Sequence, residues 1–130
     1  MTEFERQMLD VWEKAKQKKE KEVRKRVLRA FTEIVLRTPV DTGRARGNWL
    51  TGKGYSAGYS ENVADQSGAT TIQNGANEVA SWKPIFSVQN EFWITNNLPY
   101  IKFLEDGKSD QAPAGMVGPV YQKMIMELNV

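Results

Sequence analysis

With 130 residues, the chain has the length of a single domain, and its 40% hydrophobic and 26% charged residues are ordinary for a globular protein. Its 18 Lys and Arg residues nearly balance 16 Asp and Glu residues, so the net charge of +2 does not indicate bulk binding to nucleic acid or membranes. The chain has no cysteine and no histidine, which excludes disulfides, thiolate or imidazole metal sites and histidine-based catalytic triads. We expect no cofactor.

Residues 3–37 carry the pattern of one long helix. Thr2 and Glu5 have the spacing of a capping box, and Pro39 forces the preceding residue out of the helical region. At 1.5 Å per residue the helix would be ~50 Å long, so we expect part of it to protrude or to pack on a neighbouring subunit. Apolar residues recur at helical steps, so we expect them to form one helical face: Phe4, Met8, Val11, Trp12, Ala15, Val23, Val27, Phe31, Ile34 and Val35.

The same helix is predominantly basic, with 11 of the 18 Lys and Arg residues against seven acids. Two interpretations remain open, a phosphate- or partner-facing patch and a solvated helix face with the i,i+4 pairs Glu20–Arg24 and Glu22–Arg26. The even charge of the whole chain favours the solvated face. The candidate DNA- or partner-facing residues are Arg24, Lys25, Arg26 and Arg29.

After the helix, the sequence predicts a short strand over 47–55 and a long Gly-, Ser- and Asn-rich loop over 52–76, because that composition is poor in core-forming residues. Alternation predicts a half-buried strand over 85–95. We also expect a short helix over 76–82, a turn at Asn96-Asn97 and a helix over 98–105 that Asp106-Gly107 ends. After a loop over 113–118, the sequence predicts an amphipathic helix from Val120 to Leu128. Its apolar side carries Val120, Met124, Ile125 and Leu128.

Two groups of residues could carry other functions. Asp41-Thr42-Gly43 matches the triplet that carries the catalytic carboxylate of a dimeric aspartic protease. In that class the triplet lies between hydrophobic strands, whereas here it follows a helix end and Pro39, and Arg44 comes next. A turn or cap is the favoured interpretation. The aromatic residues Trp49, Trp82, Trp93 and Tyr100 alternate with Arg44, Arg46, Lys53 and Lys83, which would suit stacking on single-stranded nucleic acid, although core and subunit-interface roles are favoured.

Residues 39–49, Pro-Val-Asp-Thr-Gly-Arg-Ala-Arg-Gly-Asn-Trp, and residues 94–117, which include Asn96-Asn97-Leu98-Pro99-Tyr100 and Gln111-Ala112-Pro113-Ala114-Gly115-Met116, resemble the neck or tail-completion proteins of tailed bacteriophages. These are small virion proteins at the head–tail junction, related to tail terminators. The resemblance implies an α+β fold with a long N-terminal helix packed on a small antiparallel sheet. The sequence patterns above add short C-terminal helices and a long Gly/Ser/Asn-rich loop, and this loop is where the chain departs from the family pattern. It implies a structural protein and not an enzyme.

The resemblance also implies partners and residues that define the fold or the subunit interfaces. We expect a hexameric ring, with a dodecamer as the alternative, that contacts head-side connector or stopper proteins and a tail-side terminator or tube protein. Genome DNA would cross the ring without sequence readout. The implied location is the virion, after synthesis in the host cytoplasm. The interface or fold-defining residues are Asp41, Thr42, Gly43, Arg44, Arg46, Asn48, Trp49, Asn96, Asn97, Tyr100, Glu105, Gln111, Pro113 and Met116.

Three other functions stay open at this point: a tail terminator that caps the tail tube, a nucleic-acid-binding accessory protein that uses the basic helix, and the aspartic protease built on Asp41. No run of about 18 apolar residues is present, so no membrane span is predicted. The first residues lack the apolar region of a signal peptide, so we expect a cytoplasmic protein until assembly. We expect one domain over 1–130, divided into the helix (1–38), a strand region (39–58), a flexible loop (59–76) and a strand, turn and helices (77–130).

Overall fold

The computed structural model describes residues 1–88 and 90–128. It confirms the α+β fold, with a long N-terminal helix, a two-stranded antiparallel sheet and short C-terminal helices. Within these residues, no helix combines the length and apolar character that crossing a membrane requires. The elements in chain order are α1 (Glu3–Arg37), α2 (Arg44–Gly47), β1 (Leu50–Gly52), α3 (Ala69–Ser81), β2 (Trp93–Thr95), α4 (Ile101–Glu105) and α5 (Val117–Leu128).

Helix α1 begins and ends where the sequence predicts. The Thr2 hydroxyl accepts the Glu5 backbone N–H at 3.1 Å, and the Glu5 carboxylate accepts the Thr2 backbone N–H at 2.9 Å, so the capping box is confirmed. Thr38, just before Pro39, has extended backbone angles and caps the C-terminal end. The first 15 residues are all exposed, and the deeply buried residues of α1 begin at Glu20. The N-terminal half of α1 therefore projects from the domain. The prediction of one apolar face is wrong, because Phe4, Met8 and Val11 are exposed and lie on a different side of the helix from the buried Phe31 and Ile34.

The C-terminal end of α1 is held by side chains from the next segment. The Arg46 guanidinium donates to the carbonyls of Leu36 at 2.8 Å and Thr38 at 2.9 Å, and to the Gln66 carbonyl at 2.9 Å. The Thr38 hydroxyl donates to the Ile34 carbonyl and accepts the Trp49 indole N–H, both at 2.8 Å. These bonds satisfy carbonyls that a helix end leaves free, and they fix the direction in which the chain continues.

The sheet is small and antiparallel, with Leu50 paired to Thr95 and Gly52 paired to Trp93. Helix α3 packs on both α1 and β1, and α5 packs on α1. The core lies between the second half of α1 and the segments that carry α2, α4 and α5. Its buried side chains are Ala30, Phe31, Ile34, Val35, Ala45, Trp49, Leu98, Leu104, Ala112, Met116 and Val120.

The predicted 59–76 loop is wrong from Ala69 onward, where α3 begins, and the predicted helix over 76–82 is the second half of α3. Gly75 lies within the stretch predicted to be a loop, but it is buried against the Phe31 ring, where a Cβ atom would lie only 2.6 Å from Cδ2. The glycine is therefore a packing residue that lets α3 approach α1. Likewise, the strand predicted over 47–55 is limited to Leu50–Gly52, because Gly47 still belongs to α2.

The strand predicted over 85–95 is also wrong in its first part, since only Trp93–Thr95 is extended in a ladder. The buried Glu20 carboxylate accepts the backbone N–H groups of Ile85 at 2.9 Å and Phe86 at 3.0 Å. Those donors are not available to a sheet, and Phe86 and Val88 are exposed instead of lining a buried face. Gln89 lies outside the described residues.

The two C-terminal helices are confirmed, but each begins at a different residue from the one predicted. Helix α4 begins at Ile101, three residues later than predicted, and ends at Glu105. Asp106 is its C-cap, and Gly107 follows with a φ of +81°, as the Asp-Gly signal predicts. Helix α5 begins at Val117, three residues earlier than predicted. Val120 is buried, and Met124 and Ile125 are half-buried. The side chain of Leu128 lies outside the described part of the structure.

Arg46 and Arg44 lie on the same short helix and allow a matched test of the α1 end. Arg46→Ala removes three charge-assisted hydrogen bonds, so we expect the free energy of unfolding to fall by about 2–3 kcal/mol. Arg44→Ala removes a half-exposed side chain and should cost less than about 0.5 kcal/mol. Urea denaturation followed by circular dichroism gives both values, and equal losses for the two variants would contradict the role of Arg46.

Candidate functional site

The two segments that carry the family resemblance are joined to each other by side-chain hydrogen bonds. The Gln111 amide accepts the Val40 backbone N–H at 2.8 Å and donates to the Val40 carbonyl at 3.1 Å. The Asn96 amide donates to the Ala45 carbonyl at 3.0 Å. Residues 39–49 and 94–117 therefore form one structural unit, although they are about 50 residues apart in the chain.

A surface cavity of about 380 Å³ lies where these two segments meet. Ala45 and Leu104 are its buried apolar walls. Around them, the first segment contributes Asp41, Thr42 and Arg44, and the second contributes Tyr100, Ser109 and Gln111. Asp41, Thr42 and Tyr100 are exposed and Arg44 is half-exposed. The cavity has an apolar interior and a polar rim, which is the character of a contact surface.

Three of the other predicted site residues, Asn48, Trp49 and Met116, are buried and hold the fold. Asn48 is 2% exposed, donates to the carbonyls of Arg44 at 2.7 Å and Ser60 at 2.8 Å, and accepts the Ser60 N–H at 2.7 Å. Trp49 and Met116 are buried in the core. These residues shape the segments, and they are not free to contact a partner directly.

Asn96 and Asn97 act on the loop that follows β1 as well as on their own turn. The Asn96 carboxamide oxygen accepts the Leu98 N–H at 3.2 Å, as expected for an Asx turn. The Asn97 amide donates to the carbonyls of Ser56 and Gly58, and its oxygen accepts the Tyr55 hydroxyl at 3.0 Å. The Gly- and Ser-rich stretch before α3 is thereby attached to the second family-like segment.

Glu105 caps helix α5. Its carboxylate accepts the backbone N–H groups of Met116 at 3.2 Å, Val117 at 2.9 Å and Gly118 at 3.1 Å, at the positive end of the helix dipole. This contact explains why α5 begins before Val120. Pro113 is exposed, and its carbonyl packs against Gly107, whose positive φ and close approach both require glycine.

The Asp41-Thr42-Gly43 triplet forms the bend between α1 and α2. The Thr42 hydroxyl accepts the Arg44 N–H at 3.3 Å, and Gly43 has a φ of +90° with no room for a Cβ atom beside the Asp65–Gln66 backbone. The turn interpretation is confirmed. In an aspartic protease the catalytic Asp lies between strands. Asp41 does not lie between strands and is exposed at the cavity rim.

The predicted basic patch divides into two parts. Arg24 turns toward the domain, where it donates to the Trp82 carbonyl at 3.1 Å and lies 3.7 Å from Glu20, so the predicted Glu20–Arg24 pair is confirmed. The predicted Glu22–Arg26 pair is wrong, because Glu22 lies 3.9 Å from Lys19 instead. Lys25, Arg26 and Arg29 are exposed beside a shallow groove that Glu22 and Glu127 also line.

Lys18 and Lys21 extend this exposed basic surface, and sequence reasoning missed them. With Lys25 and Arg29 they recur at steps of three and four, on the side of α1 opposite the core. Across the described residues, Lys18, Lys21 and Lys25 have no ion-pair partner. The steps of three and four between these four basic residues are the sequence pattern that indicates the surface.

The aromatic residues do not form a stacking platform. Trp49 and Trp82 are buried, at 6% and 4% exposure, while Trp93 and Tyr100 are partly exposed. The Trp82 ring packs on Phe92 with centroids 5.1 Å apart, and Trp93 packs edge-on against Tyr55. The core interpretation therefore holds for two of the four residues. Tyr100 is the one that lines the cavity.

No family model, curated protein or solved structure matched this chain. In the described residues, no group of three or more acidic side chains is arranged to hold a metal ion. The cavity between residues 39–49 and 94–117 and the exposed basic face of α1 are the two candidate interaction surfaces.

Three carboxylates predict how stability depends on pH. Burial raises the pKa of both Glu20 and Asp65, but hydrogen bonds to each carboxylate outweigh burial, so both pKa values are lowered. The donors to Glu20 are the backbone N–H groups of Phe86 and Ile85, and the main donor to Asp65 is Thr71. A hydrogen bond from Lys123 lowers the pKa of Glu33. Each group therefore stabilises the fold above its ordinary pKa, 4.5 for Glu and 3.8 for Asp, and this contribution is lost as pH falls through the lower folded value.

We expect the free energy of unfolding to fall progressively below about pH 4.5. Glu20→Gln should make this decline shallower, because the amide cannot ionise. Glu61→Gln, at an exposed loop position, serves as the control and should leave the slope unchanged. Urea unfolding at a series of pH values gives the slope, and an unchanged slope for Glu20→Gln would contradict the assignment.

Proposed function

We propose that the protein is a structural component of a tailed-phage head–tail junction, a neck or tail-completion protein that forms a ring around the DNA channel. The observation that carries the proposal is the junction of residues 39–49 with residues 94–117. The two segments that resemble the phage family are distant in the chain, yet they bond to each other and surround one cavity.

Some side chains of this unit hold its backbone and others line its cavity, and this separation supports an assembly role. Asn48, Asn96, Glu105 and Gln111 are engaged with backbone groups and hold the segments in place. Asp41, Thr42, Arg44 and Tyr100 are left around the cavity. A rigid unit with an apolar pocket and a polar rim suits docking of a neighbouring subunit or a junction protein. We propose structural contact, and not catalysis, as its use.

The proposed partners follow from the same reasoning. Copies of the chain would form a ring, with six copies favoured and twelve as the alternative, and closed rings use heterologous interfaces in which two different surfaces meet. Head-side connector or stopper proteins and a tail-side terminator or tube protein would lie above and below. The protein would be located in the virion, after synthesis in the host cytoplasm.

The docking role of the cavity rim can be tested in the phage. Arg44→Glu and Tyr100→Ala remove exposed or half-exposed side chains, so both variants should fold normally, but head–tail joining should fall to the level of a deletion. Lys53→Glu, an equal charge reversal in the exposed loop after β1, is the matched control and should join normally. Electron microscopy of lysates counts joined particles, and the thermal midpoint of each purified variant checks folding.

Two outcomes would contradict the proposal itself. One is purified particles that lack the protein by quantitative mass spectrometry. The other is intact head–tail joining after deletion of its gene. A copy number of about six or twelve per particle would support a ring at a symmetric junction. Labelling of the chain in imaged particles then distinguishes a neck protein from a tail terminator by its position.

The exposed basic face of α1 favours a second candidate, a nucleic-acid-binding accessory protein. Lys18, Lys21, Lys25 and Arg29 share one side of the helix, and four phosphate contacts would give a slope of about −3 to −4 in a plot of log K against log salt concentration. Lys25→Gln combined with Arg29→Gln should reduce that slope by about 2. A mobility-shift series with duplex DNA measures it, and no binding at low salt would exclude this candidate.

A further inference from the structure

The projecting half of α1 carries an apolar stripe that its own domain does not cover. Phe4, Met8 and Val11 are 70%, 56% and 63% exposed, and Ala15 continues the series. At about 100° per residue, this stripe lies roughly 130° around the helix from the face that carries Phe31 and Ile34 into the core. The stripe therefore points away from the core, and its own domain cannot cover it.

We propose that this stripe pairs with the same stripe of a second copy, in an antiparallel two-helix coiled coil. Phe4, Met8, Val11 and Ala15 are spaced by four, three and four residues, which are the steps of a coiled-coil seam. The seam ends there, because the next two positions are Lys18 and Glu22. It is short, but α1 is already a formed helix of 35 residues, so pairing does not have to nucleate it.

Side-chain size favours the antiparallel arrangement. A register that places Phe4 of one copy opposite Ala15 of the other also places Met8 opposite Val11. The largest seam residue then faces the smallest, which fills the interface evenly. In a parallel pair, Phe4 would face Phe4 and Ala15 would face Ala15, which leaves one end crowded and the other underfilled.

Charge favours the same direction. The first ten residues carry three acids, Glu3, Glu5 and Asp10, against Arg6, whereas the basic residues Lys14, Lys16, Lys18 and Lys19 follow without an acid among them. An antiparallel pair brings the acidic end of one helix beside the basic stretch of the other, and it opposes the two helix dipoles. A parallel pair would align like charges along the whole contact.

The pairing has a defined strength and symmetry. Burying Phe4, Met8, Val11 and the adjacent Trp12 in both copies removes on the order of 1,000 Å² from water, near the lower limit for a specific interface. We therefore expect a reversible dimer with a micromolar dissociation constant. The contact is isologous, so it cannot close a head-to-tail ring, and it would form a dimer or join two rings.

Sedimentation equilibrium of the full chain tests the dimer without any other phage protein. Its result is therefore independent of the proposed junction role. We expect a monomer–dimer equilibrium whose dissociation constant rises at least about 100-fold in the variant Met8→Asp with Val11→Asp, or tenfold per apolar group. Leu9→Asp is the matched control, since Leu9 is 48% exposed on the other side of the same turn, and it should still dimerise. A monomer at all concentrations would overturn the proposal, as would loss of dimer in the control alone.

Disulfide trapping tests the direction of the pair and stands even where an Asp variant fails to fold. The chain has no native cysteine, so each cross-link is attributable. A mixture of Phe4→Cys and Ala15→Cys chains should form the mixed disulfide, and each variant alone should cross-link poorly. Efficient self-linking of Phe4→Cys would indicate a parallel pair and would overturn the proposed register.

Discussion

The end of α1 is the constraint on which the rest of the structure depends. Pro39 stops the helix, and the stop leaves carbonyl groups that need donors. Arg46 supplies them from α2, while Trp49 donates to Thr38 from the residue before β1. The same Arg46 side chain reaches Gln66 and so sets where the chain returns toward α3. One helix end therefore positions α2, the entry to the sheet and the approach to α3.

In this domain, hydrogen bonds from polar side chains to backbone groups connect segments that strand pairing would connect in a larger sheet. Two strands of three residues provide few cross-strand hydrogen bonds. Instead, Gln111, Asn96 and Glu105 bond to backbone groups of other segments. Each of these bonds depends on one side chain, so a substitution removes the connection outright. Six of the fourteen predicted interface or fold-defining residues bond to backbone groups in this way: Arg46, Asn48, Asn96, Asn97, Glu105 and Gln111.

The sequence was sufficient where structure is local and insufficient where it depends on distant partners. The bounds of α1 follow from Thr2, Glu5 and Pro39, which act within a few residues of themselves. The packing role of Gly75 and the loss of the 85–92 strand do not, because Gly75 packs against Phe31 and the Phe86 N–H donates to Glu20, and both partners are more than 40 residues away in the chain. In the site, the residue types were predicted, but their separation into connectors and an exposed rim needed the folded backbone.

Helix α1 carries two apolar faces that point in different directions. A helix that only served its own domain would carry apolar residues on one face, and its projecting turns would be polar. Here the second half packs through Phe31 and Ile34, whereas the first half presents Phe4, Met8 and Val11 in a different direction. Because one continuous helix bears both faces, a partner bound to the first half is held in a fixed orientation to the core. The helix would thus be a rigid connection between the domain and the second copy that we propose for the stripe.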